Sequence, residues 1–464
     1  MRKLLYIDLF CGAGGTSTGV ESATLDGQKC AHVIACVNHD PHAIASHLAN
    51  HPEAEHFTED IRTLDLTTLV GHTQRKRAKN PGALLVLWAS LECTNFSRAK
   101  GGQPRDADSR TLAEHLFRYI DALKPDYIQI ENVREFMMWG DLDENGRPVS
   151  KDAGRLYLRW VRNVCKRGYE FDHRILNAAD YGAYTSRERF FGIFARKGLP
   201  IVFPEPTHSK APGKNLFSEP RPWKPVKDVL DLQDCGSSIF HRDRPLCEKT
   251  LARIYAGLQK FVAGESVKTQ FLSKVFSGSP AGKNITVEGP AGTITCKDHH
   301  TLVTAQFIDQ QYGTGCPASI NRPAGTVTTN PKQNLVTARF LVNPQFDSAG
   351  SSIEKPCFTL IAKMDKRPPQ LVSTIKGRSE VPVYKNDSPM TVKIKTFMAA
   401  YGLSDISMRM LKIPELKKIM GFPEDYVLVG TQSEQKKYIG NAVETHVACA
   451  LCRSLYSEIN RKAC

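Results

Sequence analysis

No run of apolar residues in this 464-residue sequence is long enough to cross a bilayer, which argues against a helical membrane protein. No disulfide framework is visible either. The thirteen cysteines are scattered, which suits a reducing compartment better than a stapled secreted fold. The lone CxxC, Cys449-Ala450-Leu451-Cys452, lies in an apolar helical pattern without a second ligand pair, and His299-His300 lacks spaced acidic or cysteine partners. No metal site is therefore expected. A signal peptide is missing as well: Met1-Arg2-Lys3-Leu4-Leu5-Tyr6-Ile7 imitates one only until Asp8 ends the apolar run, so a mature, cytoplasmic N-terminus is expected. Acidic residues are the scarcer charge, 48 against 62 lysines and arginines, leaving a net charge of +14. That balance makes a polyanion the expected partner, without distinguishing DNA, RNA and membrane surface.

What is present is an ordinary globular composition, 41% hydrophobic, on a chain long enough for a large core and two domains. Ala83 to Ala89 is a continuous apolar run of the kind a strand buried on both faces of a parallel sheet requires. It leads into Ser90-Leu91-Glu92-Cys93-Thr94-Asn95-Phe96-Ser97-Arg98-Ala99-Lys100-Gly101-Gly102. A cysteine at the carboxyl end of such a strand sits where open α/β sheets place their ligands, making Cys93 the first candidate nucleophile. Arg98 and Lys100 follow on a basic, glycine-containing segment suited to closing over a phosphodiester backbone.

The rest of the first 200 residues alternates in the same manner. Leu4 to Phe10 reads as a buried strand, and Cys11-Gly12-Ala13-Gly14-Gly15 as a turn opening into a helix, where glycines allow a tight turn and close approach of a ligand to the main chain. Val33 to Val37 is a strand ending at Asn38-His39-Asp40, and Phe57-Thr58-Glu59-Asp60-Ile61 offers a further carboxylate, Asp60. Helical spacing from Leu112 to Leu123 precedes the strand Tyr127 to Ile130, which ends in Glu131-Asn132-Val133. An amphipathic helix, Gly154 to Arg167, is followed by strands between Phe171 and Ala195 that contain Tyr184-Thr185-Ser186-Arg187-Glu188-Arg189-Phe190. On a strand, Arg187 and Arg189 project to one face, where two guanidiniums need an anion or polar base edge between them.

Taken together, Asp8-Leu9-Phe10-Cys11-Gly12-Ala13-Gly14-Gly15, the cysteine segment, Glu131-Asn132-Val133, the Arg187/Arg189 pair and Lys437-Tyr438-Ile439-Gly440-Asn441-Ala442-Val443 resemble the C5-cytosine DNA methyltransferases over roughly residues 1–200 and 405–464. The resemblance implies a Rossmann-like α/β domain with a mostly parallel, doubly wound sheet that binds S-adenosyl-L-methionine. Cofactor contacts carry over to Asp8, Phe10, Gly12, Gly14, Gly15, Asn38, Asp60 and Asn441, and catalysis to Cys93, Glu131, Arg187 and Arg189. Three positions depart from the family pattern: Glu92 stands where proline is usual, Asn38 where a carboxylate is usual and Thr185 where glutamine is usual. Two other readings share these motifs: a transfer-RNA cytosine methyltransferase of the same fold, and a DNA-binding protein that has lost catalysis.

From about Pro204 the texture changes to a proline- and lysine-rich linker, and beyond it Pro290-Ala291-Gly292-Thr293-Ile294-Thr295 recurs as Pro323-Ala324-Gly325-Thr326-Val327-Thr328. Weaker copies begin at Pro356 and Pro389, a period of ~33 residues that signals stacked units. Leu302-Val303, Leu335-Val336 and Leu371-Val372 follow the first three copies. Short Thr- and Val-rich runs favour strands over helices. The expected organisation is therefore a catalytic domain at 1–204, an inserted, largely β target-recognition domain at 205–404, and a returning segment at 405–464. Lys332 on phosphate, with Asn330 and Gln333 on base edges, are the DNA-contact candidates in the insert. The implied partner is double-stranded DNA, with a cognate restriction endonuclease as a second partner if the chain belongs to a restriction–modification pair. A cytoplasmic monomer in a prokaryotic or phage-infected cell is expected.

Overall fold

The computed structural model describes residues 1–91, 107–141, 143–144, 149–150, 153–211, 220–261, 270–273, 284–286, 301–310, 333–342, 351–352, 370–376, 382–401 and 403–461. The first sheet has seven strands: β1 (Leu4–Leu9), β2 (Ala31–Val37), β3 (Glu55–Phe57), β4 (Leu84–Ser90), β5 (Tyr127–Asn132), β6 (Tyr169–Asn177) and β7 (Glu188–Arg196). Their order is β3-β2-β1-β4-β5-β7-β6, and β7 alone runs against the other six, pairing antiparallel with both β5 and β6. The chain reverses direction across the sheet between β1 and β4, the switch point at which such sheets open a crevice.

Alternation along β1 divides the core. Leu5, Ile7 and Leu9 pack on one face with α3 (Leu66–Lys79), α4 (Ala107–Leu123) and α5 (Arg155–Cys165). Leu4 and Tyr6 pack on the other with α1 (Gly15–Ser22) and α10 (Thr445–Arg461), as a period of two requires when both faces are covered. Between β2 and β3 runs α2 (Pro41–Asn50), capped by the Asp40 carboxylate, which accepts from the His42 and Ala43 amides.

The two ends of the chain share this domain. A side chain at Gly15 would run into the Val443 carbonyl, and one at Gly19 into Thr445 and Ala448, so these glycines let α1 lie directly against the C-terminal segment. The Arg2 amide also donates to Asn460 Oδ1 at 2.7 Å. The CxxC lies on α10, with Cys452 buried in the core.

A second, eight-stranded sheet is built around β8 (Thr301–Gln310), β9 (Gln333–Val342), β10 (Gln370–Lys376) and β11 (Leu403–Met410), with short strands at Ser237–Ser238, Gln270–Ser273, Asn284–Thr286 and Ser351–Ser352. The Leu-Val pairs of the sequence repeat fall on β8, β9 and β10. Leu302 and Val303 pair in parallel register with Leu371 and Val372, so two copies align residue for residue. Helices α6 (Glu248–Phe261) and α7 (Pro389–Ala400) pack together through Ile254, Leu258, Ile394 and Met398.

Two details differ from the sequence expectation. The fourth repeat copy, at Pro389, opens the helix α7 and not a strand. Ser388 precedes it and accepts from the Thr391 amide, and proline at the first helical turn suits that cap. Gly289, Arg322 and Lys355 hold the matching place before the other three copies. Strand β11 runs past residue 404 within the second sheet, and helix α8 (Ile413–Ile419) follows it. Among the described residues no helix is long and apolar enough to cross a membrane.

Candidate active site

At the carboxyl ends of β1, β2, β4 and β5 lies a cavity of about 400 Å³, a size suited to a small ligand. One half is built from strand ends and the loop after β1. Phe10 and Gly12 both take positive φ, 59° and 52°, an unusual conformation for a phenylalanine that marks a constrained turn at the cavity wall. Asn38 and Asp60 face the same space. Asn38 Oδ1 accepts from the Asp40 amide at 2.9 Å. Asp60 is held by Arg62, whose Nη2 lies 2.6 Å from its carboxylate, and this hydrogen bond keeps Asp60 below the usual carboxylate range.

Asp8, Gly14 and Gly15 lie behind this wall and do not line the cavity. Asp8 is buried and accepts from Ser17 Oγ at 2.9 Å; burial pushes its carboxyl well up, and the Ser17 hydrogen bond opposes that rise. Gly14 takes φ 98° at the N-cap of α1. These three residues shape the loop from beneath.

In the other half, Glu131, the penultimate residue of β5, lies beside Arg189 on β7, with Nε 3.3 Å from Oε1, and Arg187 stands on the same wall. All three are buried. Burial raises the Glu131 carboxyl above its ordinary value, against the opposing pull of the Arg189 and Arg187 charges. Arg187 donates to the Gly440 carbonyl at 3.2 Å, tying this wall to the segment that brings Asn441 to the cavity. Thr185 is fully buried, and its hydroxyl has no hydrogen-bond partner among the described residues.

Cys93 lies outside the described residues, as do Glu92, Arg98, Lys100, Asn330 and Lys332. Leu91, two residues before Cys93, lines the cavity, and Asn132 Nδ2 donates to its carbonyl at 3.3 Å. Gln333 opens β9, where its backbone pairs with Gln310. The structure thus brings Phe10, Gly12, Asn38, Asp60, Glu131, Arg187, Arg189 and Asn441 around one cavity.

Sequence reasoning missed two supports. Asn132 steadies the segment that leads toward Cys93, and its place within Glu131-Asn132-Val133 is the only local signal. Tyr438 and Lys437 reach across to Asp40: the tyrosine hydroxyl donates to both carboxylate oxygens at 3.0 and 3.1 Å, and Nζ lies 3.4 Å from Oδ2. That link spans almost the whole chain, and nothing near Asp40 announces it.

A family profile described as C-5 cytosine-specific DNA methylase matches residues 4–242 and 317–457, most of the chain. This chain belongs to that family. Among relatives of this chain, the type II methyltransferase M.XorII of Xanthomonas oryzae pv. oryzae is 33% identical over 214 residues, covering 45% of this chain and 44% of that protein. The type II methyltransferase M1.HphI of Haemophilus parahaemolyticus is 29% identical over 210 residues, 45% of this chain and 50% of its own. The chain thus spans about half the length of these curated relatives. A solved structure of the Entamoeba histolytica methyltransferase EhMeth superposes over 99% of both chains with a TM-score of 0.49 at 13% identity.

Proposed function

We propose that this methylase acts on DNA as a (cytosine-5-)-methyltransferase, flipping a cytosine out of the duplex, adding Cys93 to its C6 and methylating C5. The observation that carries this reading is the buried Glu131–Arg189 contact at 3.3 Å, on the wall of the cavity that Phe10, Asn38 and Asp60 also line. A carboxyl raised by burial beside guanidiniums is the donor that an electron-poor cytosine ring requires.

The cofactor half fits S-adenosyl-L-methionine in its donor chemistry: an aromatic face from Phe10, an amide from Asn38 and carboxylates from Glu59 and Asp60 suit a purine, a ribose and a cationic group. When bound there, this cofactor supplies an electrophilic methyl group. Cytosine C5 is too weak a nucleophile to take it unaided. Addition of the Cys93 thiolate to C6, with proton donation from Glu131 to N3, makes C5 enamine-like and nucleophilic. Loss of the C5 proton, expulsion of the thiolate and return of the N3 proton to the Glu131 carboxylate then restore the ring, the cysteine and the acid. Because C5 and C6 are inaccessible within a stack, the base must leave the duplex, with Arg189 placed to bond its O2 and Arg187 to hold nearby phosphate or scaffold.

In this reading residues 1–204 and 405–464 carry the chemistry, while 205–404 selects the site through Lys332, Asn330 and Gln333, with Arg98 and Lys100 closing over the backbone. The substrate is double-stranded DNA, the protein a cytoplasmic monomer, and a cognate restriction endonuclease a partner if one accompanies it. The test is DNA containing 5-fluorocytosine, whose C5 substituent cannot leave as a proton. A covalent adduct at Cys93 is expected, and Cys93→Ser should abolish both adduct and methyl transfer while leaving DNA binding largely intact. Absence of the adduct under turnover would overturn the nucleophile assignment, and methylation of transfer RNA but not duplex DNA in parallel assays would overturn the substrate.

A further inference from the structure

Beneath the glycine-rich loop lies a group of side chains that the proposed reaction does not use. Cys11 follows β1, Cys36 is the penultimate residue of β2, and His47 comes from α2; all three are buried, with one ligand atom from each within 4.8 Å of the others. His47 Nδ1 lies 3.6 Å from Cys36 Sγ and 3.0 Å from Nε2 of His56, the central residue of β3. Four elements of the fold therefore meet here with two sulfurs and two imidazoles. A tetrahedral zinc ion with Zn–S of about 2.3 Å and Zn–N of about 2.0–2.1 Å sets its sulfur and nitrogen ligands about 3.6 Å apart and two nitrogens about 3.3 Å apart. The His47–Cys36 and His47–His56 spacings lie within a few tenths of an ångström of these, while Cys11 joins Cys36 and His47 within 4.8 Å.

The surroundings fix the ligand state of His47. With the Ser17 hydroxyl donating to Asp8 Oδ2, the contact of 2.9 Å between His47 Nε2 and Ser17 Oγ is met by N–H on Nε2. Nδ1 is left with its lone pair toward Cys36 and His56. An imidazole oriented through its far nitrogen by a hydroxyl–carboxylate relay is the usual support of a metal-bound histidine.

We propose that Cys11, Cys36, His47 and His56 form a tetrahedral site for a zinc-class divalent cation that clamps the loop after β1 to β2, β3 and α2. Two thiolates and two neutral imidazoles select such an ion over hard cations. Cys11 also borders the cavity, so the ion would hold that wall in its turn. The ligand positions 11, 36, 47 and 56 follow no CxxC spacing, which is why the sequence alone does not disclose the site.

The test uses the full chain, stripped with a chelator under reducing conditions and titrated with Co²⁺ alone. One equivalent should produce thiolate-to-cobalt charge-transfer absorption and the intense visible bands of tetrahedral cobalt, both removed by one equivalent of Zn²⁺. Cys36→Ser and His47→Gln should abolish the bands, and Cys449→Ser should leave them unchanged. His56→Gln changes a half-buried residue, so it should keep the far-ultraviolet circular dichroism of the parent while losing at least about tenfold in cobalt affinity. Ser17→Ala should lose about 10–100-fold. Absence of the bands at stoichiometric cobalt, their persistence in folded His56→Gln at unchanged affinity, or recovery of Cys11 and Cys36 as a disulfide from freshly purified protein would overturn the proposal. None of these readouts depends on methyl transfer.

Discussion

Arg189 and Glu131 face the cavity, whereas Arg409 and Glu415 join the last strand of the second sheet to helix α8, and the same two residue types are used in different ways. Glu415 Oε1 accepts from Arg409 Nη2 at 2.9 Å and the Asp231 amide at 2.8 Å; Oε2 accepts from Arg409 Nη1 at 2.9 Å and the Lys412 amide at 2.6 Å. Every lone-pair direction of that carboxylate has a donor, so the ion pair is a fixed joint. Glu131 has, among the described residues, a single ion-pair contact at 3.3 Å. A carboxyl buried with so few donors keeps its proton more readily, and that makes it useful as an acid.

The largest effect expected from this difference is on catalysis. Glu131→Gln retains the shape and removes the transferable proton, and should lower methyl transfer by about 10²–10⁴-fold, the usual contribution of a general acid. Its pH dependence has a definite sign. The folded-state pKa is raised, so the working protonated form is lost as pH rises through it, giving an alkaline limb in kcat/KM that Glu131→Gln should lack. The same shift acts on stability. Protonation of Glu131 favours the fold fully below the unfolded value of about 4.3, and that contribution is lost as pH rises through the higher folded value. The melting temperature of Glu131→Gln should therefore gain on that of the parent as pH rises through this window. A constant difference between the two proteins would show that Glu131 is ionised throughout.

The joint should respond in the opposite manner, with stability falling far more than chemistry. Glu415→Ala strands the buried Arg409 guanidinium and should cost about 3–5 kcal/mol in denaturant unfolding. A loss below about 1 kcal/mol would mean that Arg409 finds a substitute among the Asp231, Asp234 and Met410 carbonyl and carboxylate oxygens already near it.

How far these roles can be read from sequence follows from how local their causes are. Strand β4 is legible because Leu84 to Ala89 is apolar on both faces, and Glu131 is legible because it stands near the end of such a strand. The glycines of the first loop are legible as glycines, but Gly15 and Gly19 serve contact with Val443, Thr445 and Ala448, which no local pattern discloses. The repeat predicts strands through its Leu-Val pairs, yet at Pro389 one preceding serine is enough to start a helix. The tie from Tyr438 to Asp40 and the meeting of Cys11, Cys36, His47 and His56 depend on topology, and a single sequence carries no trace of either.

The smallest effect concerns a third carboxylate, Asp40, whose engagements resemble those of Glu415. It caps α2, accepts two hydrogen bonds from Tyr438 and lies beside Lys437; burial opposes its ionisation, but the Ala43 amide, Tyr438 and Lys437 together hold it below the usual carboxylate range. Both Asp40 and Asn38 border the cavity, but the Asp40 carboxylate is already taken up by these partners, which leaves Asn38 to serve a ligand hydroxyl. Asn38→Asp would retain the acceptor used by the Asp40 amide and add a charge with no competing side-chain donor among the described residues. A hydrogen bond to a charged group is worth about 1 kcal/mol more than a neutral one, so binding of S-adenosyl-L-methionine by calorimetry should tighten about fivefold with kcat nearly unchanged. Weaker binding in Asn38→Asp would show that repulsion from Asp40 outweighs the gained contact, and that Asp40 is less completely engaged than its partners indicate.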